Sequence, residues 1–260
     1  MNERQKQALD SLLSSKKYGA LCASTVERIF NEELLKRSSI KEADKHTRTH
    51  LHQISGAYLG ADQLKKGAAL LSQHLKGDKD ALNSVLKLHA STNERLGIIE
   101  PLYERIFKST NKPDLILDLA CGLNPIWLGA HGLSVRGYDL HGDTNELVNL
   151  WADACSWDVR CETADLTEKI AFETCDLALM MKLLPVIEQQ QKGAAVELLK
   201  SVPAKYLVVS FPTRTLSGRR VGMATNYARW FTDNCPSDLT TLDSFEMGNE
   251  LVYVLEANHV

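Results

Sequence analysis

The chain has 260 residues, 44% of them hydrophobic and 24% charged, which is typical of a globular protein with a buried core. No stretch contains the ~20 apolar residues that span a bilayer, and the polar N-terminus lacks the apolar segment of a signal peptide. The six cysteines show no C-x-x-C spacing, so we expect neither a zinc site nor a disulfide framework. These features predict a cytoplasmic protein without a membrane or metal partner.

The net charge of −3 is divided unevenly along the chain. Residues 1–112 contain 19 Lys and Arg against 13 Asp and Glu, whereas residues 113–260 contain 11 against 20. The basic half also carries five of the eight histidines. A basic surface favours a polyanionic partner such as nucleic acid, although a mild excess also occurs on ordinary solvated surfaces.

The first hundred residues predict helices and no strands. Apolar side chains recur at helical spacing from Ala8 to Leu13 and from Val26 to Leu35. We therefore expect residues 1–110 to form an all-helical domain made of two small bundles, with breaks near Ser38, Gly60 and Gly77. Further helices are predicted over His50–Tyr58, Asp62–Leu75 and Asp80–Leu88.

Residues 111–260 follow a different pattern, in which five short apolar strands alternate with segments of helix length such as Asn145–Ala154 and Gln189–Ser201. The last two strands are joined by a short turn around Gly248 and predict an antiparallel hairpin. This α/β order predicts a Rossmann-like, seven-stranded sheet that resembles the class I S-adenosylmethionine (SAM)-dependent methyltransferases. The predicted strands are Leu115–Ala120, Ser134–Leu140, Asp158–Thr163, Cys175–Met180, Tyr206–Phe211, Leu239–Phe245 and Leu251–Leu255.

The ends of the first three strands carry candidate cofactor contacts. In the turn Asp118-Leu-Ala-Cys-Gly-Leu-Asn-Pro125, Gly122 lets a ligand approach the backbone closely. The dinucleotide fingerprint G-x-G-x-x-G is absent, which disfavours a pyrophosphate-containing cofactor but not SAM. Asp139 ends the second strand, where a carboxylate accepts hydrogen bonds from ribose hydroxyls. Asp165 follows the third strand, where methyltransferases commonly hold the adenine amino group.

Each of these residues is, by itself, more often a turn or capping residue than a ligand. Their order at successive strand ends is what predicts a SAM site. The remaining predicted contacts are Ala120 and Leu166 at these strand ends, and Met180 and Met181 at the end of the fourth strand.

Several longer runs make the comparison more specific. The sequence resembles the aminoglycoside-resistance 16S rRNA (guanine-N7) methyltransferases, and the similarity extends over nearly the whole chain, including the helical N-terminal region. The runs that carry it are Ser15-Lys-Lys-Tyr18, Leu51-His-Gln-Ile-Ser-Gly-Ala-Tyr58, Leu88-His-Ala-Ser-Thr-Asn-Glu-Arg95, Asp118 to Pro125, Lys182-Leu-Leu-Pro-Val186, Ser210-Phe-Pro-Thr-Arg214, Gly222-Met-Ala-Thr-Asn-Tyr-Ala-Arg-Trp-Phe231 and Gly248-Asn-Glu-Leu-Val-Tyr253.

The resemblance implies that SAM is the cofactor and that the N-terminal helices dock on 16S rRNA in the assembled 30S subunit. It also implies that His89, Ser91 and Arg95 reach the cofactor pocket, with Arg95 near the methionine carboxylate, and it adds Tyr58 and Gln189 as cofactor contacts. The pattern Ser91-x-x-Glu94 also predicts a capping box, which is compatible with that role.

Spread-out basic residues suit RNA, whose A-form helices are recognised through shape and backbone more than base edges. The loop after the fifth strand is the candidate RNA end of the pocket, whereas Trp230 and Phe231 read as the buried face of a helix. Where many relatives have Lys-Gly-Met-Glu, this chain has Val221-Gly-Met-Ala224, so details of its RNA contact differ. The predicted RNA-binding residues are Lys16, Lys17, Arg48, Lys65, Lys66, Arg214, Arg219, Arg220 and Met223.

The expected reaction is transfer of the SAM methyl group to guanine N7. This atom is an unprotonated acceptor, so no general base is needed and no catalytic residue is assigned. Three alternatives remain open at this point. They are a methyltransferase that acts on another RNA or protein target, a nicotinamide-dependent oxidoreductase, and a non-catalytic RNA-binding protein with the same fold.

Overall fold

A computed structural model describes residues 1–55, 59–214 and 222–258. Twelve helices and seven strands lie within these described residues. The helices are α1 (Glu3–Leu13), α2 (Ala23–Lys36), α3 (Ile40–Ile54), α4 (Ala61–His74), α5 (Asp80–Leu86), α6 (Ala90–Arg95), α7 (Ile99–Thr110), α8 (Asn124–Ala130), α9 (Gly142–Cys155), α10 (Leu184–Gln190), α11 (Ala194–Ser201) and α12 (Met223–Asn234). The strands are β1 (Leu115–Leu119), β2 (Ser134–Asp139), β3 (Val159–Thr163), β4 (Cys175–Met181), β5 (Ala204–Pro212), β6 (Leu239–Met247) and β7 (Glu250–Ala257).

The strands form one sheet in the order β3-β2-β1-β4-β5-β7-β6. Strands β1 to β5 pair in parallel, whereas β7 runs antiparallel to both β5 and β6. The predicted hairpin turns at Gly248, whose φ of 59° lies in the left-handed region that glycine adopts without strain. The predicted seven-stranded α/β fold with a helical N-terminal region is therefore confirmed.

Two hydrophobic clusters cover the two faces of the sheet, because side chains alternate between faces along each strand. One cluster joins residues such as Ile116 and Val135 to helices α4, α5, α7, α8 and α9. The other joins residues such as Leu117 and Met180 to α10, α11 and α12. Helices α4 and α5 thus belong to the cluster on one face of the sheet, so the structure differs from the prediction that the helices of this region form a second small bundle.

Helices α1 to α3, called the N-terminal cluster below, have a hydrophobic cluster of their own. Helix α1 begins with a capping box, in which Asn2 and Gln5 satisfy each other's backbone N–H groups. Apolar residues on one face of each helix, such as Leu12, Ile29 and Leu51, are fully buried together. This packing explains why three short helices form a stable unit, since isolated helices of this length are marginal in water.

The N-terminal cluster is attached to the sheet at the loop that follows β2. Cys22 N–H donates to the carbonyl of Leu140 over 2.9 Å, and Gly142 N–H donates to the carbonyl of Ala20 over 2.7 Å. These bonds flank an isolated antiparallel bridge between Leu21 and His141. Leu140 also packs against the hydrophobic cluster of α1 to α3.

Two predicted helices are wrong in their bounds. The one predicted over His50–Tyr58 is the end of α3, which begins at Ile40 and ends at Ile54. The segment Gln189–Ser201 contains the end of α10 and the whole of α11, which are separated at Gly193. The φ of Gly193 is +86°, a conformation that interrupts a right-handed helix. Within the described residues, no helix combines the length and the apolar character that crossing a membrane requires.

Candidate functional site

A cleft lies at the C-terminal ends of β1, β2 and β4 and beside the loop that follows β3. In open α/β sheets this is the switch point, where the chain leaves neighbouring strands in opposite directions and ligands bind. Its walls come from the sheet, from α10 and from the end of α3. It is lined by Ile54, Ser55, His89, Ser91, Ala120, Asp139, Leu140, His141, Ala164, Asp165, Leu166, Met181, Lys182, Leu183, Val186, Ile187 and Gln190.

The turn after β1 brings backbone close to the cleft. Ala120 and Gly122 adopt φ values of 60° and 51°, and the Gly122 N–H donates to Asp139 Oδ2 over 2.9 Å. A Cβ atom on Gly122 would lie 2.6 Å from Cε1 of His89. The turn therefore requires glycine for two reasons, its backbone conformation and the imidazole that packs against it.

Asp139 is a buried carboxylate that stays ionised. Its Oδ1 accepts hydrogen bonds from the backbone N–H and from Nδ1 of His141, each over 3.0 Å. Burial by itself raises the pKa of Asp139, but the hydrogen bonds and charge of His141 and the N–H of Gly122 outweigh it, so the pKa is lowered. An ionised carboxylate of this kind suits the predicted role as an acceptor for ribose hydroxyls.

Asp118 lies deeper, beneath the same turn. Its Oδ2 accepts a hydrogen bond from Asn124 Nδ2 over 2.6 Å, which fixes the start of α8 against β1. Burial raises the pKa of Asp118 to about 7, although Asn124 and the charge of Arg95 oppose the rise. Asp118 is therefore a structural carboxyl group under the site, with a proton affinity far from its ordinary value.

Arg95 is buried beside the cleft and is only partly paired. Its Nε donates to Glu250 Oε1 over 2.6 Å, and its Nη2 has no hydrogen-bond partner among the described residues. Burial opposes its charge, but the neighbouring Glu250 carboxylate leaves the pKa of Arg95 raised. A buried guanidinium nitrogen without a partner is costly, and a carboxylate such as that of methionine would satisfy it. This feature fits a SAM site.

Lys182, at the end of β4, completes the same ionic group. Its Nζ lies 2.7 Å from Glu94 Oε2 and 3.5 Å from Glu250 Oε1. Its φ of 58° is unusual for a residue with a side chain, and its N–H donates to Ser210. Strained backbone of this kind persists where surrounding contacts determine it, often at functional sites.

The structure brings most of the predicted cofactor residues together. His89, Ser91, Ala120, Asp139, Asp165, Leu166 and Met181 line the cleft, and Arg95 and Gly122 lie directly behind it.

Three predictions about this region are corrected by the structure. Met180 is fully buried in the core, because neighbouring side chains of a strand point to opposite faces and only Met181 faces the cleft. Gln189 lines a different cavity, between α3 and α10, and Gln190 lines the cleft instead. The capping box at Ser91 is absent, since His89 is the N-cap of α6 and no side chain caps it. Tyr58 lies outside the described residues.

The predicted RNA-binding residues are only partly grouped. Lys17 and Arg48 flank the ring of Tyr18 and line one groove, and Lys16 and Lys17 line another with the start of α4. Lys65 and Lys66 are exposed on α4, Arg214 is exposed after β5, and Met223 begins α12. Arg219, Arg220 and Val221 lie outside the described residues. Phe231 is buried as predicted, with Trp230 packed beside it.

Several residues at the cleft are absent from the sequence prediction. Thr25, Arg28 and Ser55 belong to the N-terminal cluster, and no local signal marks a helix residue that contacts a strand end more than a hundred positions away. His141 and Lys182 could have been found, because each follows a predicted strand end closely. Within the described residues, no group of three or more His, Cys, Asp or Glu side chains is arranged to hold a metal ion.

Comparisons with known proteins agree with this geometry. A family model described as "Ribosomal RNA methyltransferase (FmrO)" matches residues 14–254. A protein of Serratia marcescens named 16S rRNA (guanine(1405)-N(7))-methyltransferase is 43% identical over 96% of this chain and 98% of its own length. A protein of Frankia casuarinae with the same name is 34% identical over 96% of this chain and 94% of its own.

Solved structures give the same result. The 16S rRNA methyltransferase RmtF in complex with S-adenosyl-L-homocysteine matches with a TM-score of 0.93 and 47% identity, over 99% of both chains. The 16S rRNA methylase RmtB matches with a TM-score of 0.88 and 39% identity, over 99% of this chain and all of its own. From its fold, its cleft and these full-length similarities, the chain belongs to the FmrO family of ribosomal RNA methyltransferases.

Proposed function

We propose that this protein transfers the methyl group of SAM to N7 of a guanine in the decoding site of 16S rRNA, within the assembled 30S subunit. The observation that carries the proposal is the position of the cleft, at the switch point of the sheet and directly beside the basic N-terminal cluster. A small cofactor and a large polyanion can therefore meet at one place. Relatives named for this reaction match along nearly the whole chain.

The chain's residues suit SAM in two respects. Asp139 offers ionised carboxylate oxygens for the ribose hydroxyls, and Arg95 offers an unpaired N–H group for the methionine carboxylate. Apolar side chains of Leu166 and Met181 supply walls for the adenine and methionine parts. Tyr58 completes this set in the proposal. When bound, SAM supplies an electrophilic sulfonium methyl group, which the guanine N7 lone pair displaces to leave S-adenosylhomocysteine.

The protein's contribution to this reaction is positioning. Guanine N7 has a free lone pair, so no side chain has to remove a proton from it. Among the described cleft residues, Asp139 and Asp165 already accept several hydrogen bonds each, which agrees with structural rather than proton-transfer roles. Holding the two reactants in line can supply much of the rate enhancement.

The RNA side of the proposal rests on charge. Phosphate contacts supply most of the sequence-independent affinity for nucleic acid, and they require only accessible cations at the right spacing. Grooves around Tyr18 and the start of α4 present such cations beside the cleft. Aminoglycoside resistance is the expected biological result of methylating this site. The residues proposed to contact RNA are Lys16, Lys17, Arg48, Lys65, Lys66, Arg214, Arg219, Arg220 and Met223.

The experiment that tests this function is transfer of labelled methyl from SAM to intact small subunits, large subunits and naked 16S rRNA, with N7 methylation mapped by chemical cleavage. We expect label only on intact small subunits, at one decoding-site guanine. Equal labelling of naked rRNA would remove the role assigned to the N-terminal cluster. SAM binding without label on any RNA would overturn the proposed substrate.

A further inference from the structure

The carboxylate of Asp165 accepts hydrogen bonds from two sides, from α2 of the N-terminal cluster and from Thr167 in its own loop. Thr25 Oγ1 and Arg28 Nη2 of α2 each donate to Oδ2 over 2.8 Å, and Arg28 Nε adds a third bond over 3.1 Å. Thr167 donates its N–H and its hydroxyl to Oδ1 over 2.9 and 2.6 Å. Five donors thus share the roughly four lone-pair sites of one carboxylate. These bonds fix the orientation of the Asp165 carboxylate through both of its oxygens.

Arg28 also reaches a second cleft residue. Its Nη2 donates to Gln190 Oε1 over 3.1 Å, which fixes the orientation of that amide on α10. Its Nη1 pairs with Glu32 on its own helix over 3.3 Å. The side chain of Asp165 is 3% exposed and that of Arg28 20%, so their ion pair is largely shielded from water. Losing one partner of such a pair is far more costly than losing a surface pair.

The N-terminal cluster contacts the cleft at two further places. Ile54 and Ser55, at the end of α3, line it directly, and Ser55 Oγ is buried without a hydrogen-bond partner among the described residues. Leu21 also forms a backbone bridge with His141, and His141 is the residue that hydrogen-bonds Asp139. The cluster therefore forms one wall of the cleft.

We infer that Arg28 is a positioning residue of the SAM site, which holds Asp165 and Gln190 in place and makes SAM affinity depend on the seating of the N-terminal cluster against the sheet. This inference rests on the proposed function, and it makes the N-terminal cluster part of what holds Asp165 in place at the cleft. Because coupling is reciprocal, SAM binding strengthens the seating of the cluster by the same factor.

The test is calorimetry of SAM binding to the full chain. Arg28→Ala is expected to weaken SAM affinity about tenfold. Arg28→Lys, which cannot make all three hydrogen bonds to Asp165 and Gln190, should weaken it about threefold. Arg37→Ala is the matched control, because Arg37 pairs with the buried Glu33 on the same helix but does not approach the cleft. It should leave SAM affinity within twofold of the wild type.

Two readouts separate positioning from a general loss of structure. If Arg28 acts through Asp165, the double variant Arg28→Ala/Asp165→Asn binds SAM no more weakly than Asp165→Asn alone. Removing the guanidinium also raises the pKa of Asp165, because the charge and hydrogen bonds of Arg28, which itself pairs with Glu32, help to lower it against the effect of burial. SAM affinity of Arg28→Ala, relative to wild type, should therefore fall further as the pH is lowered.

Thr25→Val provides a second route if Arg28→Ala does not fold, since it removes one neutral donor from the same oxygen. It should weaken SAM binding two- to fivefold. Unchanged SAM affinity in Arg28→Ala, or fully additive losses in the double variant, would overturn the inference while leaving the methyltransferase activity in place. A wild type that binds SAM but methylates no rRNA would instead overturn the proposed function.

Discussion

Among single residues, Gly122 shows how the cofactor turn is specified. Its left-handed backbone and the imidazole of His89 both exclude a side chain. Gly132 has a similar φ of 70°, but a Cβ atom there would meet nothing within 4 Å. A side chain at either glycine would therefore strain the left-handed backbone, but only at Gly122 would it also clash with a neighbouring side chain.

We predict that Gly122→Ala destabilises the protein more than Gly132→Ala. Each variant loses about 1–2 kcal/mol through the left-handed backbone, and Gly122→Ala also forces His89 to move and should weaken SAM binding at least tenfold. Urea denaturation and calorimetry measure the two effects. His89→Ala in the same chain should abolish the extra stability loss of Gly122→Ala. Equal losses for the two glycine variants would contradict the steric explanation.

Asp118 makes stability depend on pH. Its native pKa of about 7 exceeds the ordinary value of 3.8, so the native state binds the proton more tightly than the unfolded state. The contribution of this group is therefore favourable below pH 4 and is lost as the pH rises toward 7, at up to about 1.4 kcal/mol per pH unit. Ionised Asp118 destabilises the fold above that range.

Asp118→Asn should therefore stabilise the fold relative to wild type by an amount that increases between pH 5 and pH 8. The neutral amide can still accept the hydrogen bond from Asn124. Urea denaturation at each pH gives the difference in unfolding free energy. Asp114→Asn, at an exposed position beside the same strand, should show a small difference that does not vary with pH. A pH-independent effect of Asp118→Asn would show that Asp118 ionises normally.

At the scale of secondary-structure elements, α4 and α9 pack closely because α4 carries a glycine. A Cβ atom on Gly67 would lie 2.6 Å from Cδ2 of Leu147 on α9. The carbonyl of Gly67 also accepts a hydrogen bond from Trp151 Nε1 over 3.2 Å. This contact joins the helical region to the sheet through the shared hydrophobic cluster.

Gly67→Ala is a test of that contact. On an exposed helix the change would stabilise by about 1 kcal/mol, whereas overpacking here costs about 1–3 kcal/mol. We therefore expect a net loss of about 1 kcal/mol in unfolding free energy, measured by urea denaturation. Shortening Leu147 to Val in the Gly67→Ala background should recover part of it. A more stable Gly67→Ala protein would mean that α4 and α9 have room between them.

The elements themselves were largely predictable, and the reason is local. The five parallel strands are short apolar runs, and the two antiparallel strands flank a recognisable turn at Gly248, so the sequence predicts all seven within a few residues. The break at Gly193 was missed because it lies within a polar stretch that continues a helical pattern. The prediction of Gln189 is wrong by one residue. Since a helix turns about 100° per residue, adjacent side chains face different directions, and the sequence alone does not set which of the two faces the cleft.

Residues of the site that depend on distant partners were not predictable. Asp139 could be found, since its position at a strand end is a local property. The partners Arg95 and Glu250 are separated by 155 residues, and Arg28 and Asp165 by 137, so their pairing follows only from the folded arrangement. The sequence runs that resembled a family contained both Arg95 and Glu250, but nothing in them indicated an ion pair.

At the scale of the whole molecule, the basic residues beside the cleft define how a large RNA would be oriented. Lys16 and Lys17 are exposed, and they lie in a groove that also includes His141 of the cleft. They lie more than 100 positions before His141 in the chain, but the N-terminal cluster brings them beside this cleft residue. Their charge should therefore affect RNA binding without altering the cofactor pocket.

Reversing these charges tests this separation. Lys16→Glu/Lys17→Glu should reduce methylation of small subunits at least tenfold, while SAM affinity stays within twofold of wild type. The difference between the two proteins should shrink at high salt. The wild type makes more phosphate contacts and releases more counterions, so its affinity falls more steeply with salt than that of the variant. Lys200→Glu/Lys205→Glu makes the same charge change near the start of β5, at the end of the strands away from the cleft, and should have little effect. Normal turnover by the first variant would remove these lysines from the docking surface.

The hydrogen bonds that α2 makes to Asp165 also have a consequence for biosynthesis. Arg28 precedes Asp165 by 137 residues. At roughly 5–20 residues per second, α2 leaves the ribosome on the order of 10 s before the acidic residue that it will hold. The N-terminal cluster can form early from its own apolar contacts, but Asp165 is made later. A nascent chain therefore cannot complete this ion pair until Asp165 has left the ribosome.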